Sequence, residues 1–219
     1  MSIAYNPTIV TSGLIVCLDA ANPKSYPGTG TAWNDISGGG NHATLYNSVT
    51  FTTSGQGSLN FNEVDNYAKI NTTGVLPTTA YTKIAWFRPE SSTQNIISGG
   101  TNDHAFWMNG TSTNLASGHN GNWTTVSYSP GDMLNKWWCG AVTFNTTTGW
   151  VLYLNGQQVT SNTTSTTPVG GPADVRIGAY GDAANLFDGD IPVVKIYNRV
   201  LTSDEIKQNF NALRGRYGI

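Results

Sequence analysis

Between Gly13 and Tyr197 the apolar residues come in short runs, and each run meets a glycine- or asparagine-rich turn before it reaches helical length. Residues 13–18, 58–61, 67–70, 82–87, 96–98, 137–144, 149–154 and 193–197 are rich in β-branched and aromatic side chains, which suit a pleated, half-buried surface. Asn109-Gly110, Asn120-Gly121 and Asn155-Gly156 are hairpin signals, because both central residues of a tight β-turn take positive φ. Residues 22–30, with Pro23, Pro27, Gly28 and Gly30, read as loop, as do residues 161–172. Helical spacing appears only at the end. Thr202 is placed to cap a helix, Glu205 to reach back to the cap amide, and Ile206, Phe210 and Leu213 to share one apolar face. Pro192 puts the start of the last strand at a sheet edge or a bulge. Many short strands with no alternating helices predict an all-β, two-sheet antiparallel sandwich of jelly-roll type with one short C-terminal helix. Residues 1–12 read as an extended arm and residues 13–219 as one domain.

Composition excludes several function classes. The chain has 11 Lys and Arg against 13 Asp and Glu, a net charge of −2 with no dense block of either sign. That argues against electrostatic capture of nucleic acid or acidic lipid. No apolar run approaches the roughly 18 residues of a membrane span, and residues 1–7 lack a basic start followed by an apolar segment. Synthesis in a cytosol without a signal peptide is therefore expected. Polarity comes from Asn, Thr, Ser and Gly, which suit neutral partners such as sugars or other protein surfaces. Cys17 and Cys139 both fall in apolar runs, which leaves buried thiols and a bridge between them as alternatives.

Phe187, Gly189, Ile191, Val194, Ile196, Tyr197, Asn198, Arg199, Leu201, Glu205 and Ile206 stand in an order that resembles the closing signature of laminin-G-like domains in the concanavalin A-like lectin and glucanase superfamily. Upstream, Trp86, the Trp137-Trp138 pair and Arg176-Ile177-Gly178 extend the resemblance over nearly the whole chain. The opening, GLIVCLDAANPKSYPGTGTAWNDISGGGNHATL, is similar to laminin-G-like domains of tailed-phage virion proteins. The resemblance implies a non-catalytic structural component of a virion, in the capsid decoration or the tail fibre. It would contact other virion proteins, form a homo-oligomer and adhere to a bacterial surface polysaccharide. A lectin-like adhesin with no scaffold role is the alternative.

The residues bear on chemistry directly. Glycoside cleavage usually needs two carboxyl groups flanking the bond, and the glucanases of this superfamily carry Glu, Asp and Glu at alternate positions of one strand. The only glutamates here are Glu63, Glu90 and Glu205; Glu63 and Asp65 match the first two positions, but Tyr67 stands at the third. His42, His104 and His119 lie in no metal or nucleophile motif and read as exposed singletons. The glycines of residues 37–42 lack the Lys-Ser/Thr end of a phosphate loop and read as a turn. No cofactor is required. Calcium is the one ion the resemblance suggests, with Asp19, Asp65, Asp188 and Asp190 as candidate oxygen ligands, although Pro192 stands where relatives often carry an acid. For sugar, a flat aromatic face and nearby amides are needed. Residues 104–128 supply Trp107, Trp123 and Tyr128 beside His119, Asn120 and Asn122, with Trp123 the expected platform. Of Phe106 and Trp107, one must face outward because neighbours in a strand point to opposite sides.

Overall fold

A computed structural model describes residues 8–92, 94–99, 104–110, 114–168, 173–181 and 184–219. Its strands are β1 (Leu14–Asp19), β2 (Ala32–Trp33), β3 (Ala43–Tyr46), β4 (Thr50–Thr52), β5 (Ser58–Asn62), β6 (Tyr67–Ile70), β7 (Ala80–Pro89) and β8 (Gln94–Gly99). They continue as β9 (Ala105–Asn109), β10 (Asn114–His119), β11 (Asn122–Tyr128), β12 (Trp138–Asn145), β13 (Gly149–Leu154), β14 (Gln157–Asn162), β15 (Val175–Ile177) and β16 (Asp188–Tyr197). Helices α1 (Ser203–Asn211) and α2 (Arg214–Tyr217) end the chain. The strands form two antiparallel sheets. The back sheet runs β14-β13-β12-β7-β16-β5-β4 with β1 also on β16, and the front sheet runs β11-β10-β9-β8-β15-β6-β3-β2. The expected jelly-roll sandwich is what the chain adopts.

Two of the three expected Asn-Gly turns form, whereas Asn109 keeps a strand conformation, ending β9 opposite Asn114. At the β10–β11 turn Asn120 and Gly121 have φ of 55° and 79°, and at the β13–β14 turn Asn155 and Gly156 have 49° and 76°. Both pairs are thus positive throughout, as a two-residue hairpin needs. A side chain on Gly156 would also run into Phe210, about 2.9 Å from an ideal Cβ, so this turn carries the docking of α1 as well.

Two apolar layers hold the sandwich. Between the sheets lie Trp33, Leu59, Phe61, Tyr81, Phe87, Ile97, Phe106, Leu115, Phe144, Trp150, Phe187 and Ile196, all buried. The second layer covers the outer side of the back sheet, where Ile84, Trp86, Cys139, Val193 and Tyr197 meet Ile206, Phe210 and Tyr217 from the helices. Trp86 is stacked between Phe210 at 5.6 Å and Tyr217 at 4.2 Å. Alternation along β7 explains the split, since Tyr81, Ala85 and Phe87 point inward and Ile84 and Trp86 outward.

The closing signature is a set of bonds rather than a surface pattern. Thr202 and Glu205 form the expected capping box, and Glu205 also takes two bonds from Arg199, at 2.8 and 2.6 Å. That guanidinium holds the Glu205 carboxyl down at about 2. Arg199 Nε donates to the Ser12 carbonyl, Asn209 Oδ1 accepts from the Val10 amide, and Tyr197 Oη donates to the Val10 carbonyl. The end of the expected arm is therefore tied to α1; residues 1–7 lie outside the described residues.

Pro192 does not mark an edge. It sits inside β16, at the register shift against β7 between Asp190 and Val193. Here β16 also changes its other neighbour: residues 188–191 pair with β5 and residues 193–197 with β1. A residue without an N–H fits where the ladder is handed over. Its carbonyl still accepts from Ala20, at 2.8 Å.

Both cysteines are buried free thiols. The strand order β12-β7-β16-β1 separates Cys139 from Cys17 by three interstrand spacings, roughly 14 Å, twice the Cα reach of a disulfide. Burial pushes the Cys17 thiol up to about 11 and the Cys139 thiol to about 12.

Candidate functional site

The outer side of the front sheet carries no helix, and its aromatic side chains gather there. In β9, Phe106 and Met108 point into the core, so Trp107 faces out. Its cross-strand partners are Asn95 on β8 and Ala116 on β10. Trp107 Nε1 donates to the Trp123 carbonyl at 2.8 Å, which fixes the indole against β11. The Trp123 ring meets Tyr180 edge-on, with centroids 5.3 Å apart. The loop after β15 returns over the sheet through a Tyr180–Ala184 bridge, and the Asn185 carbonyl accepts from the Asn95 amide at 2.9 Å. Together Asn95, Ala105, Trp107, Trp123, Tyr180 and Asn185 line a small cleft with a volume of about 30 Å³. Asn95 is 2% exposed and its side-chain oxygen is buried without a hydrogen bond. A buried acceptor of that kind is costly unless a ligand or water satisfies it.

Of the six residues expected to bind sugar, the structure brings only Trp107 and Trp123 together. Tyr128 is exposed at the far end of β11, opposite Leu115. Asn120 donates to the Thr167 carbonyl at 2.7 Å, and Asn122 opens β11, with its carbonyl accepting from Thr125. His119 requires a correction, since it is buried rather than exposed. It shares the inward parity of Leu115 and Ser117, lies 4.8 Å from both Phe144 and Trp150, and meets the Thr166 carbonyl through Nε2. Tyr180, Asn95 and Asn185, which complete the cleft, come from segments the sequence reading left unassigned.

The neighbouring core holds an unusual set of bases. Lys83 is fully buried and donates to the His104 carbonyl, and the His104 ring lies 5.1 Å from Tyr81 and 6.0 Å from His119. His104 is also buried, which corrects the expectation of an exposed singleton; His42 is exposed, with Nδ1 accepting from the Asp35 amide. Burial pushes the Lys83 amine well down, and burial with Lys83 nearby holds His104 at about 3. His119 is lowered by burial too.

The four aspartates expected as calcium ligands have different partners. Asp19 is paired with Arg216 through bonds of 2.7 and 3.1 Å, and the nearly buried Asp190 is paired with Arg88 at 3.0 Å. Asp65 accepts from Asn62 in the β5–β6 turn. Asp188 lies near Glu63 and Glu90; burial is the larger influence raising its carboxyl, with those two charges adding to it. Among the described residues no group of three or more His, Cys, Asp or Glu side chains is placed to hold a metal. Arginine partners already pair with two of the candidates, Asp19 and Asp190.

Comparison with known proteins agrees with this architecture. No curated protein sequence matches the chain. Among solved structures, a Trypanosoma rangeli sialidase in complex with sialic acid superposes with a TM-score of 0.71 at 18% identity, covering 97% of this chain and 36% of that one. The binding domain of botulinum neurotoxin serotype D gives 0.70 at 15% identity, with 92% and 52% covered. The binding domain of botulinum neurotoxin DC in complex with SialylT gives 0.68 at 13% identity, with 93% and 52% covered. This chain thus spans about a third to a half of those proteins, and likeness at such identity concerns the fold. The Laminin G 3 family profile, described as the concanavalin A-like lectin/glucanases superfamily, matches residues 61–207. That segment runs from β5 through the capping box of α1, two-thirds of the chain, and the protein belongs to this superfamily.

Proposed function

We propose that the protein is a non-catalytic glycan-binding module and that the cleft of Trp107, Trp123 and Tyr180 is its sugar site. The observation that carries this reading is an open aromatic cleft floored by a buried amide, on the one sheet face that no helix covers. Sugars bind by laying apolar ring carbons on an aromatic face while their hydroxyls meet amides, and both parts are present. No carboxyl group lines the cleft among the described residues, so the pair required for glycoside cleavage is not part of this reading. The sialidase and toxin structures are named with sialylated ligands, which is consistent with glycan recognition on this fold without assigning a ligand to this chain.

The setting proposed is a phage particle. The opening segment's likeness to virion domains supports it, and so does the path of the chain. Residues 8–12 run beside α1 on the back of the sandwich, held by Gln208, Asn209 and Arg199, while the cleft opens on the front. A module fastened at its back to other virion proteins, in one or several copies, would present its cleft outward to a surface polysaccharide.

The test is binding of the purified protein to an array of bacterial surface glycans. Trp123→Ala should abolish binding while leaving the fold intact, and deletion of residues 1–11 should impair incorporation into particles without changing glycan affinity. Glycan binding unchanged by Trp123→Ala would remove the site from this cleft.

A further inference from the structure

We infer that the cleft recognises the acetamido group of a neutral 2-acetamido sugar. This rests on the glycan-binding reading above and deepens it. The cleft, at about 30 Å³, is far too small for a pyranose ring but has room for one small group. Its walls are the Trp107, Trp123 and Tyr180 rings, and its small side chain is Ala105, 2% exposed, from the first position of β9. Such walls suit a methyl group and offer a hydroxymethyl group little. Two side-chain amides, Asn95 and Asn185, line it beside the Tyr180 hydroxyl and the Trp123 indole N–H. The Asn95 backbone N–H is bonded to the Asn185 carbonyl, and its buried side-chain oxygen has no hydrogen-bond partner.

An acetamido substituent matches each part. Its methyl fills the apolar slot, its N–H can donate to the unpartnered Asn95 oxygen, and its carbonyl can accept from a carboxamide N–H. The sugar ring then lies outside the slot, against the exposed parts of Trp123 and Tyr180. A carboxylated sugar finds no cation among the described residues of the cleft, and burying its charge beside three aromatic rings would be unfavourable. A plain hexose has only a hydroxyl in place of the acetamido group, which leaves the slot unfilled and the Asn95 oxygen harder to reach.

Calorimetric titration with chitotetraose and cellotetraose tests this, because the two share linkage and ring geometry and differ in the acetamido groups. A parallel array of N-acetylgalactosamine-containing and uronic-acid-containing glycans covers the other epimer and the acidic class. Acetamido glycans should bind at least about tenfold more tightly than their hydroxyl counterparts, the worth of one buried methyl and one hydrogen bond. Ala105→Val, which narrows the slot, should erase that preference, and Asn95→Ala should reduce it. If Ala105→Val fails to fold, Asn95→Ala carries the same comparison. Trp123-dependent binding with equal or stronger affinity for plain or acidic glycans would overturn the acetamido inference and leave the glycan-binding reading standing. An absence of Trp123-dependent binding to every glycan would overturn both.

Discussion

The two outer faces of the sandwich use the same materials to opposite ends. On the back, Trp86 is buried between Phe210 and Tyr217, and the face becomes a second core. On the front, Trp107, Trp123 and Tyr180 meet in a similar aromatic group, but among the described residues no helix lies over them and a cleft remains. What separates stability from recognition here is the cover, supplied by a short capped helix after β16 and a further turn of helix beyond it. An aromatic residue in a strand says that a face is sticky, and only the rest of the chain says whether the protein itself occupies it.

Trp86→Ala should break the back face most severely. Removing a fully buried indole and leaving a cavity costs about 3–5 kcal/mol, read as a lowered midpoint in denaturant. Acid should come next, and it should act from inside the front half. His104 and His119 are front-sheet bases whose folded pKa values are lowered by burial, so the unfolded chain binds more protons than the folded one at acid pH. The histidine contribution is intact above about 6.5 and is lost as the pH falls from there toward 3, the folded value of His104. Hydrogen exchange at pH 5 should therefore show β9 and β10 opening before the strands under the helices. His104→Phe should flatten this pH profile; equal loosening of both faces would show that the basic cluster is not its origin.

Trp123→Ala sharpens the contrast from the other side. A half-buried indole on an uncovered face should cost about 1 kcal/mol or less in stability while glycan affinity disappears. A stability loss as large as that of Trp86→Ala would make the front face a core in disguise. The smallest effect is expected from Tyr128→Ala, exposed at the distal end of β11 and outside the cleft, which should leave thermal midpoint and glycan affinity unchanged within error.

Much of the fold was legible because its signals are local. The Asn-Gly turns fix positive φ at the residues that need it, and the Thr202 capping box sets the start of α1. The strands that escaped reading are β2, β3, β4 and β14, together with the three-residue β15. The first three are two to four residues long, and β14, QQVTSN, is a mostly polar edge strand with no apolar face to betray it. The site divides in the same way. Trp107 and Trp123 are visible as aromatic residues near a tight turn, but Tyr180, Asn95 and Asn185 reach the cleft through sheet order, which pairs segments far apart in the chain. The buried bases had a signal that went unused. Lys83 falls on the parity of Tyr81, Ala85 and Phe87, and His119 on that of Leu115 and Ser117. Alternation places a polar residue inward as firmly as an apolar one.

The handover at Pro192 bears on how this molecule would carry load. Strand β1 pairs with no strand but β16, while its other edge is bonded to residues 35–41 of the following loop, and its first pair, Leu14 with Tyr197, lies beside the point where the N-terminal segment leaves the back of the domain. A pull from that segment, directed away from a glycan held at the front, would meet the sheet at one end and strip β1 pair by pair. Before that, it must rupture the bonds of Arg199 to Ser12 and of Tyr197 and Asn209 to Val10. These bonds work as a strain relief on a tether. Because β5 holds a different stretch of β16, tearing β1 away would leave the rest of the back sheet hydrogen-bonded.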